Sequence, residues 1–186
     1  MEQFKIKKIR LSNFKRFREE TEFDISSYDT IVFGGKNGFG KTTLFDAIEL
    51  VLTGKIKRYE DYANSYTDRR QSYSDTSKPL VCDNSLEIVK IELLIENAGC
   101  NYWLKREARV SDMTNPISFT PFTTLYRRNE NEDEYKEIKD EIVSQYNFLH
   151  YLDQEESTLF LKSKARDRSH DINSLFDIEA LQSTID

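Results

Sequence analysis

Gly35-Lys36-Asn37-Gly38-Phe39-Gly40-Lys41-Thr42 decides the reading of this chain. The octet fits G-x-x-x-x-G-K-[S/T], the pattern of a loop that cradles phosphates. Residues 30–33, with the apolar run Ile31-Val32-Phe33, precede it and read as a short buried strand. Behind it, Leu44, Ile48, Val51 and Leu52 recur at i, i+4, i+7 and i+8, one face of a helix, and Gly54 stands where a helix would be capped. Strand, glycine loop and helix therefore come in the order that a phosphate loop requires.

Each residue type in the octet has a physical task. Gly35, Gly38 and Gly40 admit backbone turns closed to residues with a Cβ, so that successive N–H groups point inward. Those amides and the positive end of the following helix form a nest for an anion. Lys41 adds a full charge aimed at β- and γ-phosphates, and the Thr42 hydroxyl can complete a Mg²⁺ shell. The expected ligand is a nucleoside triphosphate, ATP with Mg²⁺. The expected binding residues are Gly35, Lys36, Asn37, Gly38, Phe39, Gly40, Lys41, Thr42 and Thr43.

The 186 residues are enough for one domain with a proper core. Apolar residues make up 38% and charged residues 32%, and the net charge of −6 gives no average reason to expect nucleic acid. The charge is unevenly spread. Residues 1–18 carry seven Lys or Arg against Glu2, whereas 129–141 carry seven acids against Lys136 and Lys139. The basic run fits either a DNA-facing edge or a merely solvated strand. Cys82, Cys100, His150 and His170 lack metal-ligand spacing and read as ordinary residues. With neither a signal-peptide core nor an apolar window of membrane-spanning length, the expectation is a soluble, cytoplasmic protein with no membrane partner.

Along the chain, residues 4–14 alternate at Phe4 and Ile6, then at Ile9 and Leu11, an exposed strand with a bulge after Lys7. A charged turn leads to a second strand over 21–25. Residues 55–85 are a loop or insertion, with four tyrosines (Tyr59, Tyr62, Tyr66 and Tyr73) and almost no aliphatics over 55–79. Residues 86–96 and 100–110 read as a hairpin turning at Asn97-Ala98-Gly99. A strand over 117–127 is broken by Pro121 and so expected at an edge, and 134–146 is expected to be helical. A short strand over 148–152 follows, and the last residues, from 177, read as the start of an exiting helix.

Hydrolysis needs a second element, an apolar strand ending in Asp to hold Mg²⁺ with a Glu to polarise water. Leu93-Leu94-Ile95-Glu96 has the superficial form, but it runs into the Asn-Ala-Gly turn and no Asp precedes the Glu. It is rejected on those grounds. The phosphate cradle is here and the hydrolytic half is not.

Residues 33–54, with Asn37-Gly38, Asp46-Ala47-Ile48 and the terminal Leu-x-Gly, resemble the phosphate loop and first helix of the SMC, RecN and RecF group of ABC-type ATPases. Leu11-Ser-Asn-Phe-Lys-Arg-Phe17 is similar to that group's opening strand and Asn-Phe-[Arg/Lys] turn, and residues 148–176 resemble its Q-loop region. The resemblance implies an α/β fold: an ABC-ATPase N-terminal lobe with a mixed β-sheet around the phosphate-loop helix, an antiparallel β subdomain, and a C-terminal helix leading toward a coiled coil. Residues 1–54 would supply opening strands, loop and helix, 86–147 hairpins and a helix, and the remainder of the head would come from a C-terminal lobe. Lys15 would approach the α-phosphate, and Gln154 would reach Mg²⁺ and the attacking water, an amide orienting water without adding charge. Phe39 departs from the Ser or Ala usual at its position.

The leading expectation is one half of an SMC-like ATPase head. ATP would engage it with a second head, as a homodimer, on double-stranded DNA in repair, chromosome maintenance or defence, with a nuclease or accessory partner. The competing reading is a nucleotide-gated scaffold or binding subunit with little or no hydrolysis. A membrane transporter's ATPase subunit fits less well, because such lobes lack the Asn-Phe-Lys opening.

Overall fold

Alternation of apolar and charged residues builds one face of a sheet against a helix and leaves the other face to ion pairs. The computed structural model describes residues 4–36, 38–59, 78–114 and 117–138. In β1 (Phe4–Ser12), Ile9 and Leu11 are fully buried while Lys8 and Arg10 point the other way into carboxylates. Its pairing slips between Ile6 and Lys8, the bulge expected from the break in alternation. β2 (Thr21–Asp24) lies on one side of β1 and β3 (Ile88–Asn97) on the other.

β3 and β4 (Cys100–Arg109) form the expected hairpin, tighter than its sequence suggested. Asn97 pairs directly with Cys100, so only Ala98 and Gly99 turn, with φ of 49° and 78°. Positive φ at both turn positions matches the right-handed twist of the flanking strands. Beyond β4 come short 3₁₀ turns at Val110–Asp112 and Thr120–Phe122, then β5 (Leu125–Asn129) and β6 (Lys136–Ile138). The sheet order is β2-β1-β3-β4-β5-β6. Helix α1 (Lys41–Thr53) packs on the inward face against β1, β3 and β4, with Ala47, Leu50 and Val51 fully buried. Gly54 ends it in the left-handed conformation (φ 77°), its N–H donating to Leu50 O at 2.9 Å.

Four expectations are corrected. The described sheet is antiparallel at every pairing rather than mixed. Residues 30–33 form no strand: none of the six described strands lies beside them, and Val32 is 86% exposed. An apolar run becomes a strand only with a neighbour to satisfy its amides. Pro121 sits in a 3₁₀ turn, and β5 behind it is covered by β6 instead of forming the edge. Finally, 136–138 is that covering strand and not part of a helix. The Tyr135 hydroxyl donates to Glu92 Oε1 on β3 at 2.7 Å, and its ring lies against the Lys105 ammonium and Arg128 guanidinium. This tertiary anchor outweighs the helical stripe, and burial beside Glu92 pushes the phenol pKa well above its ordinary value, keeping the donor proton in place. The strand expected over 148–152, Gln154, and the exiting helix lie outside the described residues, as do Asn37 and 60–77.

Two polar anchors fix the helix and the turn that faces it. Arg106, fully buried, donates from Nε to Val51 O and from Nη1 to Phe122 O and Thr123 O, each at 2.8 Å. Asn13, also fully buried and in the left-handed region (φ 52°), donates from Nδ2 to Asp83 O at 3.1 Å and accepts from Asp83 N at 2.8 Å. Asp83 also accepts from Arg18 Nε at 2.8 Å, so that one residue closes both ends of the turn from Asn13 to Arg18.

Replacing Arg106 with Met should destabilise the fold by at least about 3 kcal/mol, since a buried acceptor left unpaired costs roughly 1–3 kcal/mol and three are involved. Urea denaturation measures it, and Arg106→Lys should recover only part. The Ser85 hydroxyl and N–H, together with Arg18, lower the Asp83 pKa from 3.8 to about 2. Its stabilisation is therefore complete above pH 4 and lost as pH falls from 4 toward 2. The thermal midpoint should drop over that interval, less steeply in Asp83→Asn.

Candidate functional site

α1 begins where the glycine loop ends, and among the described residues no side chain hydrogen-bonds to its first turn. Gly40 occupies the helix-start position in the left-handed region (φ 93°), and no side chain caps the helix. No acidic residue lies in the first turn either. The unsatisfied amides and the helix dipole are thus presented to solvent, a ready anion site. A Cβ on Gly40 would stand 3.0 Å from both Arg16 Cδ and Phe17 Cζ, so glycine is required by conformation and by space.

These parts border a cavity of about 500 Å³ lined by Lys15, Arg16, Gly38, Gly40, Lys41 and Thr42, with Thr43 and Pro79 at its margin. Lys41 reaches back across the loop and donates to Gly35 O. A single flexible ammonium held by one carbonyl is free to exchange that acceptor for a more negative one. Thr42 is exposed in the cavity wall, where its hydroxyl is available to a cation. Lys36 and Phe39 are exposed on the loop, Phe39 at 66%. Of the expected site residues, Lys15, Gly38, Gly40, Lys41, Thr42 and Thr43 line the cavity, Gly35, Lys36 and Phe39 lie on the loop outside that lining, and Asn37 and Gln154 fall outside the described residues.

Lys15 borders the cavity as expected, but its ammonium is engaged. It has a left-handed backbone (φ 54°) and pairs with Asp46 of α1, which is 2% exposed. Arg58 holds the same carboxylate, from Nε at 2.9 Å and from Nη2. Tyr59 lies between the two cations, its ring 4.9 Å from Lys15 Nζ and 4.7 Å from Arg58 Cζ. Sequence reasoning placed Arg58 and Tyr59 in a basic, tyrosine-bearing loop or insertion but did not foresee that they meet Lys15 at Asp46. It also missed that Asp46 is a buried anchor, for which a carboxylate among the apolar positions of an amphipathic helix was the available signal. Arg16 was overlooked as well; its position beside Lys15 on the turn was the only hint.

The basic run at the start of the chain proves to be charge-compensated. Lys5 pairs with Asp29, Lys7 with Glu96, Lys8 with Glu22 and Asp24, and Arg10 with Glu22 and Glu92. This favours a solvated edge over a DNA-facing one, because paired cations project little field beyond a Debye length. Glu96 is confirmed as a hairpin residue, held below the usual carboxylate range by Lys7. Among the described residues no group of three His, Cys, Asp or Glu could hold a metal, and no helix is long and apolar enough to cross a membrane.

The donor set suits a polyphosphate: left-handed glycines, an open helix N-terminus and three cations around one space. Comparison with known proteins agrees. The family model of the AAA domain matches residues 8–185. One of the subunits of the nuclease SbcCD from Staphylococcus saprophyticus subsp. saprophyticus is 29% identical over 94 residues, which take in 50% of this chain and 9% of that protein. The chain thus matches less than a tenth of that relative's length. The family match begins inside β1 and runs past the last described strand, so it embraces the sheet as well as the loop, and the chain belongs to the AAA domain family, as an N-terminal region of an ABC-type ATPase of the SMC and RecN kind.

Proposed function

We propose that this chain is the ATP-binding half of an SMC-like ATPase head, which completes its catalytic site with a C-terminal lobe and a second head and acts on DNA. The observation that carries the reading is the open N-terminus of α1 at the floor of a cavity walled by Lys15, Arg16 and Lys41. Lys41 leaves Gly35 O for the β- and γ-phosphates, and the loop amides, from Gly35 through Thr43, receive the phosphate oxygens. Thr42 and Gln154 are the residues assigned to Mg²⁺, which when bound neutralises charge on the phosphate chain. Among the described residues the cavity wall contains cations and hydroxyls and no carboxylate, so it binds without supplying a base.

A C-terminal lobe has a place to dock. Tyr28, Ile31, Val32 and Phe45 are exposed at 63%, 37%, 86% and 44%, and Phe33 meets Phe45 edge to face at 6.0 Å. Apolar side chains left in water beside an unpaired segment suit a partner that brings a strand. The nuclease partner and the DNA substrate are extensions from the name of the relative, which belongs to a nuclease of several subunits. The compensated charge along β1 directs any DNA contact to other surfaces.

Lys41→Ala should weaken binding of ATP to the intact protein by roughly 10- to 100-fold, the worth of one or two charge-assisted contacts, as read by titration calorimetry. Unchanged affinity would overturn the site. The 186-residue chain alone should show negligible ATP turnover in a phosphate-release assay. Robust turnover there would place the hydrolytic groups within it and end the half-site reading.

A further inference from the structure

Six of the seven cations in residues 1–18 have a carboxylate within ion-pair distance: Lys5, Lys7, Lys8, Arg10, Lys15 and Arg18. The seventh, Arg16, has none among the described residues. It faces the phosphate loop. Its Nη1 lies 3.8 Å from where a Gly38 Cβ would stand, and its Cδ packs 3.0 Å from the corresponding point at Gly40. Its guanidinium rests over the Phe39 ring, 5.7 Å from the centroid. The loop residue that departs from the family pattern thus provides the platform for the cation of the run that has no carboxylate partner among the described residues.

We propose that Arg16 is a phosphate-contacting residue of the nucleotide site, its guanidinium passing from the Phe39 ring onto the phosphate chain of the bound triphosphate. The inference rests on the ATP-binding reading given above and assigns a contact to Arg16, which that reading places in the cavity wall without a role. An exposed cation over an aromatic face gains little, whereas a guanidinium on phosphate makes a bidentate, charge-assisted contact. The exchange is therefore favourable. Packing of the Arg16 stem against Gly40 and the guanidinium against Phe39 orders the side chain before the ligand arrives, so little rotamer entropy remains to be lost. Lys15, one residue earlier, is held by Asp46, which leaves Arg16 as the cation of this turn available to the ligand.

The test uses the intact protein with Mg²⁺ and two ligands, a non-hydrolysable ATP analogue and inorganic tripolyphosphate. Arg16→Ala should bind both about 10-fold or more weakly, with an unchanged thermal midpoint because the side chain is exposed. Arg16→Lys should fall between, keeping charge without the planar fork. Arg18→Ala, which breaks an ion pair with Asp83 on the same turn, should bind as the parent does. Wild-type affinity in Arg16→Ala, with binding lost in Lys41→Ala, would overturn the role of Arg16 and leave the nucleotide site standing. An equal loss in Arg18→Ala would reduce the effect to general charge and overturn it too. A loss with the analogue but not with tripolyphosphate would move the contact off the phosphates and likewise refute it. Failure of the unaltered protein to bind either ligand would overturn the site itself and the inference with it.

Discussion

One guanidinium, buried where α1 ends, ties the helix to the sheet. Arg106 projects from β4 into the apolar layer and is satisfied there by carbonyls of α1 and of the 3₁₀ turn ahead of β5. A charge placed there without partners would cost several kcal/mol; with three acceptors and a helix C-terminus beside it, the arrangement is favourable. Because Arg106 fixes the far end of α1, the near end is fixed as well, and the near end is where the loop amides open. The position of the candidate anion site is thus set from the opposite end of a 13-residue helix.

The distribution of charge follows a second constraint. The outward face of the sheet carries many cations, and Glu20, Glu22 and Glu92 cross-link two of them, Arg10 and Lys90, into a ladder. Such exposed pairs add little stability singly. They leave these sheet cations paired, in contrast to the cavity, whose wall holds cations and no carboxylate among the described residues. Asp46 is the exception near the site, and being buried and doubly paired it presents no free charge to an incoming phosphate.

What could be read from the sequence was whatever depends on near neighbours. The glycine loop, the helix with its Gly54 cap, the β1 bulge and the β3–β4 hairpin each rest on residues a few positions apart, where period and turn chemistry suffice. The misreadings all involve distant partners. Residues 30–33 have strand composition but no neighbouring strand, and 136–138 has a helical stripe overruled by the Tyr135 contact with Glu92, 43 residues away. The partners of Arg106 were not legible either, because the carbonyls that satisfy its buried charge lie far off in sequence. At the site, the loop residues were plain from spacing. Arg16, Arg58 and Tyr59 were not, since only the fold sets them around Asp46 and Gly40.

The pairing of β1 with β3, which ends at Ser12 with Lys90, closes a long excursion of the chain that includes the loop and α1. Closing so long an excursion is an entropic cost that grows only with the logarithm of its length, about 0.6 kcal/mol per doubling. A longer or shorter connection between α1 and β3 would therefore change this cost little. The same long-range closure is slow compared with the two-residue β3–β4 turn, so the hairpin is expected to form early and the phosphate loop to be assembled late, when the first strand docks.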